Sequence, residues 1–353
     1  MITELMNGFL DYSPEQAEAF LQLLSIEKQW KTQYHKEGEL KPENIKTKAD
    51  LFKFIQAIGQ SQWFKGHDRL RYEVDISKDL KKDEYFKLFK SIGLIDKVSY
   101  NSDEAGGPPN FSVVLGAYQL GVETRVNTLI EDYKNGIRPT EDIIIGLGCN
   151  RKLDSTIESI TNDLRDSDPN KKPTEMDMIN FVIEEAIEEN QLEGIKYEPV
   201  STSSEAKTRA DESCVKTSDT AVSLKGYLEN YLLNKSIDDP IKLVVYSHQP
   251  FIERQKVDME SRLPKNYKVY CVGNEITSED FKKSPTIVVL CLAEIARYIN
   301  TKFIEKHQYI EGDLSEEQRQ EIDLLTRDNT KENKVGTSIQ ELSVEHPRSY
   351  RVR

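Results

Sequence analysis

The residues best suited to chemistry lie between 241 and 262, IKLVVYSHQPFIERQKVDMESR, where a β-branched apolar run stops at Ser247, His248 and Gln249 and Pro250 opens what reads as a helix. At the carboxyl edge of a strand in an open α/β sheet, such a junction is where ligands bind. An imidazole at that place can serve as a general acid or base, or donate a hydrogen bond to a bound anion. Arg254, one helical turn further on, can balance a ligand's charge. The plainer alternative makes His248 a polar residue that caps the loop. No GxSxG motif occurs, so a nucleophilic triad is not invoked.

Two further junctions repeat the arrangement. In LGAYQLGVETR, Gly116 and Gly121 flank a turn that opens a helix; glycines there let backbone approach a ligand, and a helix N-terminus presents free N–H groups to an anion. Their spacing is not that of GxGxxG, and ordinary turn glycines are the alternative. In GLGCNRKL, Gly146, Gly148, Asn150 and Arg151 put a guanidinium beside a glycine turn, able to hold phosphate or carboxylate through paired donors or simply to pair with surface acids. Glu175 falls in the first turn of a helix, where the dipole favours a carboxylate. Thr217, Asp219 and Thr220 open another helix with side chains suited to capping.

Strands must end where these residues stand. Short apolar runs at 111–116, 143–147, 195–200, 242–246 and 268–272 predict five of them, each separated from the next by a helical repeat. The first crossover helix carries Val122, Val126, Leu129, Ile130 and Tyr133 on one face and is expected to stop at Gly136 and Pro139. The second begins at a Thr174/Asp177 capping pair and turns Met176, Ile179, Val182 and Ile183 inward. A third, from Thr217, carries Ala221, Leu224 and Leu228. This alternation specifies a mostly parallel, doubly wound, Rossmann-like α/β sheet of about five strands.

Around that core, residues 1–105 read as a helical N-terminal subdomain, with amphipathic pieces near 14–24, 51–58 and 85–92, and NSDEAGGPPN at 101–110 reads as a linker. Residues 106–310 form the sheet domain and include a last helix from Pro285 to about His307. The segment 311–353 is a charged C-terminal extension, expected to be partly mobile with a short helix near 315–325.

Composition narrows the partners. The 353 residues carry a formal charge of −13, 61 acidic against 48 basic, which argues against nucleic acid as the main partner. The start MITELMNGFLDYSPEQ lacks a basic region, and the most apolar stretch, 286–296, is too short to span a bilayer and contains Glu294, so a cytoplasmic protein with no membrane partner is expected. Cys149, Cys214, Cys271 and Cys291 form no CxxC pair and the five histidines no HExxH, so no metal centre is expected.

Taken together, the junctions resemble the bacterial YdcF/SanA-like family, a group of unknown function with a Rossmann-like fold. The features that carry the resemblance are Leu115-Gly116, Arg125 and Gly136 on the first crossover, the glycine-ended second strand, Glu175 with Met178, Thr217-Ser218-Asp219-Thr220, and VVYSHQPFIERQ with Arg254. They span about 111–273, less than half of the chain. The resemblance implies a small anionic or nucleotide-like ligand at the carboxyl edge of the sheet, with S-adenosylmethionine or a nucleotide as the cofactor. On that reading Gly116 and Gly148 approach the ligand, Arg151 and Arg254 balance its charge, Glu175, Thr217 or Asp219 binds its polar groups, and His248 handles any proton transfer. Two alternatives stay open: a non-catalytic regulatory protein that recruits a protein partner, and a metal-dependent hydrolase using Asp219, His248 and Asp258.

Overall fold

The computed structural model describes residues 10–28, 81–155, 158, 164, 172–192, 194–202, 217–233, 235, 240–284 and 287–308. The expected helices near 51–58 and 315–325, and the charged segment 311–353, lie outside the described residues. Contact clustering sets a unit of Met1–Lys306 apart from His307–Arg353.

The described chain runs α1 (Pro14–Lys28), α2 (Lys82–Ile92), α3 (Ser102–Ala105), β1 (Phe111–Leu115), α4 (Gln119–Lys134), β2 (Ile143–Cys149), α5 (Glu175–Glu189), β3 (Lys196–Thr202), α6 (Thr217–Leu232), β4 (Ile241–Tyr246), α7 (Ile252–Glu260), β5 (Tyr267–Val272), α8 (Ser278–Lys283) and α9 (Ile287–Gln308). All five predicted strands are present. They form one sheet in the order β3-β2-β1-β4-β5, with every pairing parallel.

The strands read as continuous apolar runs because both faces are covered. Alternation sends Phe111, Val113, Leu115, Ile145 and Leu243 to one side, where Ala221, Leu224 and Leu228 of α6 and Ile252 and Met259 of α7 meet them. Val114, Ile144, Val244 and Tyr246 face the other way, onto Val122, Val126 and Leu129 of α4 and Met178, Ile179 and Val182 of α5. Helices on both faces and a strand order that reverses beside β1 make the sheet doubly wound, of the Rossmann-like kind the alternation predicts. Between β1 and β4 lies the point where the winding changes direction, and in open α/β sheets the carboxyl ends of the strands at such a point are where ligands bind.

Local chemistry sets the helix ends. Thr174 and Asp177 form a reciprocal capping box at α5, the Thr174 hydroxyl accepting from the Asp177 N–H while Asp177 accepts from the Thr174 N–H at 2.8 Å. Gly136 takes a φ of 83° just beyond α4, and the helix stops there. The helix after β4 begins at Ile252 rather than at Pro250, because His248–Phe251 closes a turn in which the Phe251 N–H donates to the His248 carbonyl at 3.0 Å. The Gln249–Pro250 peptide in that turn is cis.

The segment ahead of β1 is tied to the sheet on the β5 side. Val98 and Gly273 exchange backbone hydrogen bonds of 3.0 and 2.9 Å as an antiparallel bridge, and the Gln249 amide donates to the Asp96 carbonyl at 2.6 Å. The proposed linker 101–110 holds the short helix α3, capped by Asn101, and Asn110 exchanges hydrogen bonds with the Lys242 backbone. In α2, Phe86 and Phe89 pack against Phe281 of α8.

Glycines in β2 set how closely α5 approaches. A Cβ on Gly148 would stand 2.7 Å from Ile179 Cδ1 and 3.2 Å from the Met176 Cα, so the bare backbone is what lets the helix settle on the strand. Gly148→Ala is expected to destabilise the fold by about 1–3 kcal/mol, as urea unfolding would measure; an unchanged midpoint would mean that α5 can withdraw without cost.

Candidate functional site

Three strand exits meet at the carboxyl edge, and one side chain ties two of them together. Arg125 stands on the inner face of α4, three residues after Val122 and four before Leu129, so the helix carries it into the apolar layer, where it is 2% exposed. Its Nη1 donates to the carbonyls of Leu115 and Gly116, both at 2.6 Å, and its Nε donates to His248 Nδ1 at 3.1 Å. The ends of β1 and β4 are therefore joined through a guanidinium. Among the described residues no carboxylate stands within ion-pair distance of it. Burial pushes its pKa down to about 10, with Glu175 opposing the shift through space and Arg254 adding to it. It remains a cation at neutral pH.

His248 lies over the first turn of α4. A Cβ on Gly121 would be 3.2 Å from His248 Cε1, so Gly121 makes room for the ring. The imidazole packs edge-on against Phe251. Its pKa is held well below the ordinary 6.5, first by burial and then by the Arg125 charge. α4 itself starts without a side-chain cap hydrogen bond at Tyr118 and without an acidic residue in its first turn, so no carboxylate of that turn offsets the positive end of its dipole.

The other two predicted arginines are placed differently. Arg151, at the β2 exit, donates to Glu158 with both terminal nitrogens, at 3.0 and 2.9 Å, and through Nε to Glu175 at 2.9 Å. Burial opposes its charge, but the bonds and charges of Glu158 and Glu175 outweigh that and raise its pKa. It also reaches the Ala117 carbonyl at 3.3 Å and lies 4.5 Å above the half-exposed Tyr118 ring, which brings the β2 exit against the β1 exit. Arg254 bonds Asp258 at 2.8 Å and also Glu294 of α9; burial works against its charge and those two carboxylates raise its pKa regardless. Each of these guanidiniums carries two carboxylates of its own.

The glycines and hydroxyls likewise have protein neighbours. A Cβ on Gly116 would fall 2.2 Å from Glu175 Oε1, so the space over Gly116 belongs to that carboxylate, as the space over Gly148 belongs to α5. The Ser247 hydroxyl bonds Gln255. Thr217 and Asp219 open α6 beyond β3, two strands away from β1. Thus Gly116, Arg151, Glu175 and His248 form one contiguous group with Arg125. Arg254 lies beside it, turned toward α9, while Gly148 sits beneath α5.

Among the described residues no group of three or more His, Cys, Asp or Glu is placed to hold a metal ion, and Asp258 is engaged by Arg254. Cys149, Cys271 and Cys291 are buried free thiols. No helix there is long and apolar enough to cross a membrane. A cavity of about 300 Å³ between α2 and the β5–α8 loop, lined in part by Phe86, Lys90, Asp96 and Glu275, includes no member of the Arg125 group. No family model, curated protein or solved structure matches the chain.

Two participants escape a reading by motif. Arg125 entered only as one feature of the family resemblance, with no role in the site given to it, and its physical signal is a charge in the inner stripe of an otherwise apolar helix face. Glu158, fully buried against Arg151, stands in a polar loop with nothing local to mark it.

The depressed His248 pKa sets a pH dependence. Below about pH 6.5 the unfolded chain protonates this histidine while the folded chain does not, so the unfolded state binds more protons and stability falls as the pH drops toward the folded pKa. The loss is at most about 1.4 kcal/mol per pH unit. Urea unfolding between about pH 7.5 and 5.5 is expected to show a steeper acid loss in the natural chain than in His248→Gln. Equal slopes would mean that His248 titrates normally in the fold.

Proposed function

We propose that the protein binds a small anionic ligand, phosphate- or carboxylate-bearing and nucleotide-like, at the β1/β4 switch point, with Arg125 as the principal counter-charge. One contrast carries this reading. Arg151 and Arg254 each bond two carboxylates directly, whereas Arg125, more deeply buried than either, has carbonyls and an imidazole for partners, and among the described residues no carboxylate lies within ion-pair distance of it, Glu175 acting only through space. Burying a charge without a directly paired counter-charge costs several kcal/mol, and a bound anion reduces that cost. α4 starts without a side-chain cap hydrogen bond at Tyr118, and the positive end of its dipole lies at the same place.

On this reading Arg151 and Glu175 shape the wall of the site instead of meeting the ligand's charge, and Arg254 fixes α7 to α9. His248, at the β4 exit, faces the anion alongside Arg125. The resemblance to YdcF/SanA-like proteins points to the same edge of the sheet and puts S-adenosylmethionine and nucleotides first among the ligands to try.

The test uses the full chain and a panel of sulfate, AMP, ATP and S-adenosylmethionine in thermal shift and calorimetry. At about a hundred times its Kd a true ligand stabilises the fold by about 2.7 kcal/mol. Arg125→Met is expected to abolish that gain while destabilising the ligand-free chain far less than Arg151→Met, which strands Glu158 and Glu175 and costs about 3–5 kcal/mol. Absence of any response across the panel, or an Arg125→Met chain that still responds fully, would overturn the reading.

A further inference from the structure

The geometry points to Arg125 as a positioning residue that locks His248 in the tautomer bearing its proton on Nε2, making the histidine a permanent hydrogen-bond donor to the ligand's anionic group and not a base. This deepens the anion site proposed above and rests on it for the ligand, but the tautomer can be measured without one.

The argument is one of donors and acceptors. A guanidinium has five N–H donors and no lone pair to offer, and it does not deprotonate in a protein. The nitrogen facing it must therefore accept. Arg125 Nε stands 3.1 Å from His248 Nδ1, so Nδ1 is bare and the neutral ring keeps its proton on Nε2. Among the described residues Nε2 has no hydrogen-bond partner, and it is not one of the buried unsatisfied atoms. Its N–H is free to meet a ligand.

A base needs an open lone pair. The one on Nε2 is filled by a proton and the one on Nδ1 by Arg125, so abstraction by His248 would first require the guanidinium to leave. Arg125 cannot easily do so, because its Nη1 is held by the Leu115 and Gly116 carbonyls. Protonation of Nδ1 would set two cations face to face. The other charges near the pair are Glu175 from α5 and Arg254 from α7, acting through space on the guanidinium, while Phe251 covers one side of the ring. Two donors, one charged and one neutral, thus face a ligand atom that must be an acceptor, as a sulfonate, carboxylate or ionised phosphate oxygen is.

The experiment has two arms on the full chain labelled with ¹⁵N-histidine. In the ligand-free protein, two-bond nitrogen–proton correlations, with the His248 signals assigned by their loss in His248→Gln, should show the Nε2–H tautomer unchanged between about pH 5.5 and 8. In Arg125→Met the same ring should show mixed tautomers and titrate at a higher pH than in the natural chain. An Nδ1–H tautomer, or a His248 signal that ignores Arg125→Met, overturns the positioning role whether or not any ligand binds.

The second arm is calorimetry with sulfate, an anion that does not titrate in this range, in buffers of differing ionisation heat. Binding should proceed without proton uptake. His248→Gln, whose amide offers an N–H in place of Nε2–H, should keep most of the affinity, and His248→Ala should lose about tenfold or more, the size of a hydrogen bond to a charged group. Uptake of one proton on binding would show an imidazolium and overturn the donor role. Failure of sulfate and of every other anion of the panel to bind removes the anion site while leaving the tautomer to be judged by the first arm.

Discussion

A cation taken out of water must be compensated by something, and in this protein the manner of compensation organises the whole carboxyl edge of the sheet. Arg125 is drawn inward because it occupies a core-facing position of α4. There it gathers the carbonyls that close β1 and the imidazole that follows β4. Strand ends that would otherwise carry unpaired acceptors are fastened to each other, and the junction at which the sheet changes winding direction acquires a positive centre. His248 accepts from that centre through Nδ1, burial and then the Arg125 charge lower its pKa, and Gly121 leaves room for the ring.

The surrounding ion pairs work as walls. Arg151 holds Glu158 and Glu175, and through the Ala117 carbonyl sets the β2 exit against that of β1. Arg254 ties α7 to α9 through Glu294, which Arg297 also approaches. In the second cluster two cations meet two carboxylates, whereas Arg151 alone meets Glu158 and Glu175 and leaves a negative excess, of which Glu175 acts through space on Arg125.

Five strands and the helices between them could be read from the chain because their signals are local. A buried parallel strand is a continuous β-branched run, and Thr174 with Asp177 or Gly136 with Pro139 announces a helix end within a few residues. That the exits of β1, β2 and β4 come together was legible, but how their side chains pair was less so. Gly116 was expected to admit a ligand, yet the Glu175 carboxylate fills the space over it, and only the packing of α5 decides that. Arg254 reads as a free cation because Glu294 lies 40 residues away along the chain. Arg125 was named only as a feature of the family resemblance, and its role at the strand exits was hidden for the opposite reason. In a helical stripe a single charge looks like a gap in the apolar pattern, although its position guarantees burial.

The antiparallel bridge between Val98 and Gly273 bears on how far the chain can be shortened. It gives β5 a neighbour beyond its carboxyl end, where a sheet margin would otherwise offer unpaired backbone to other chains. Asp96, in the same stretch, receives the Gln249 amide and so steadies the loop in which His248 stands. A fragment trimmed to the α/β portion at about residue 105 would lose both fastenings at once, so the stretch around Asp96 and Val98 belongs with the sheet.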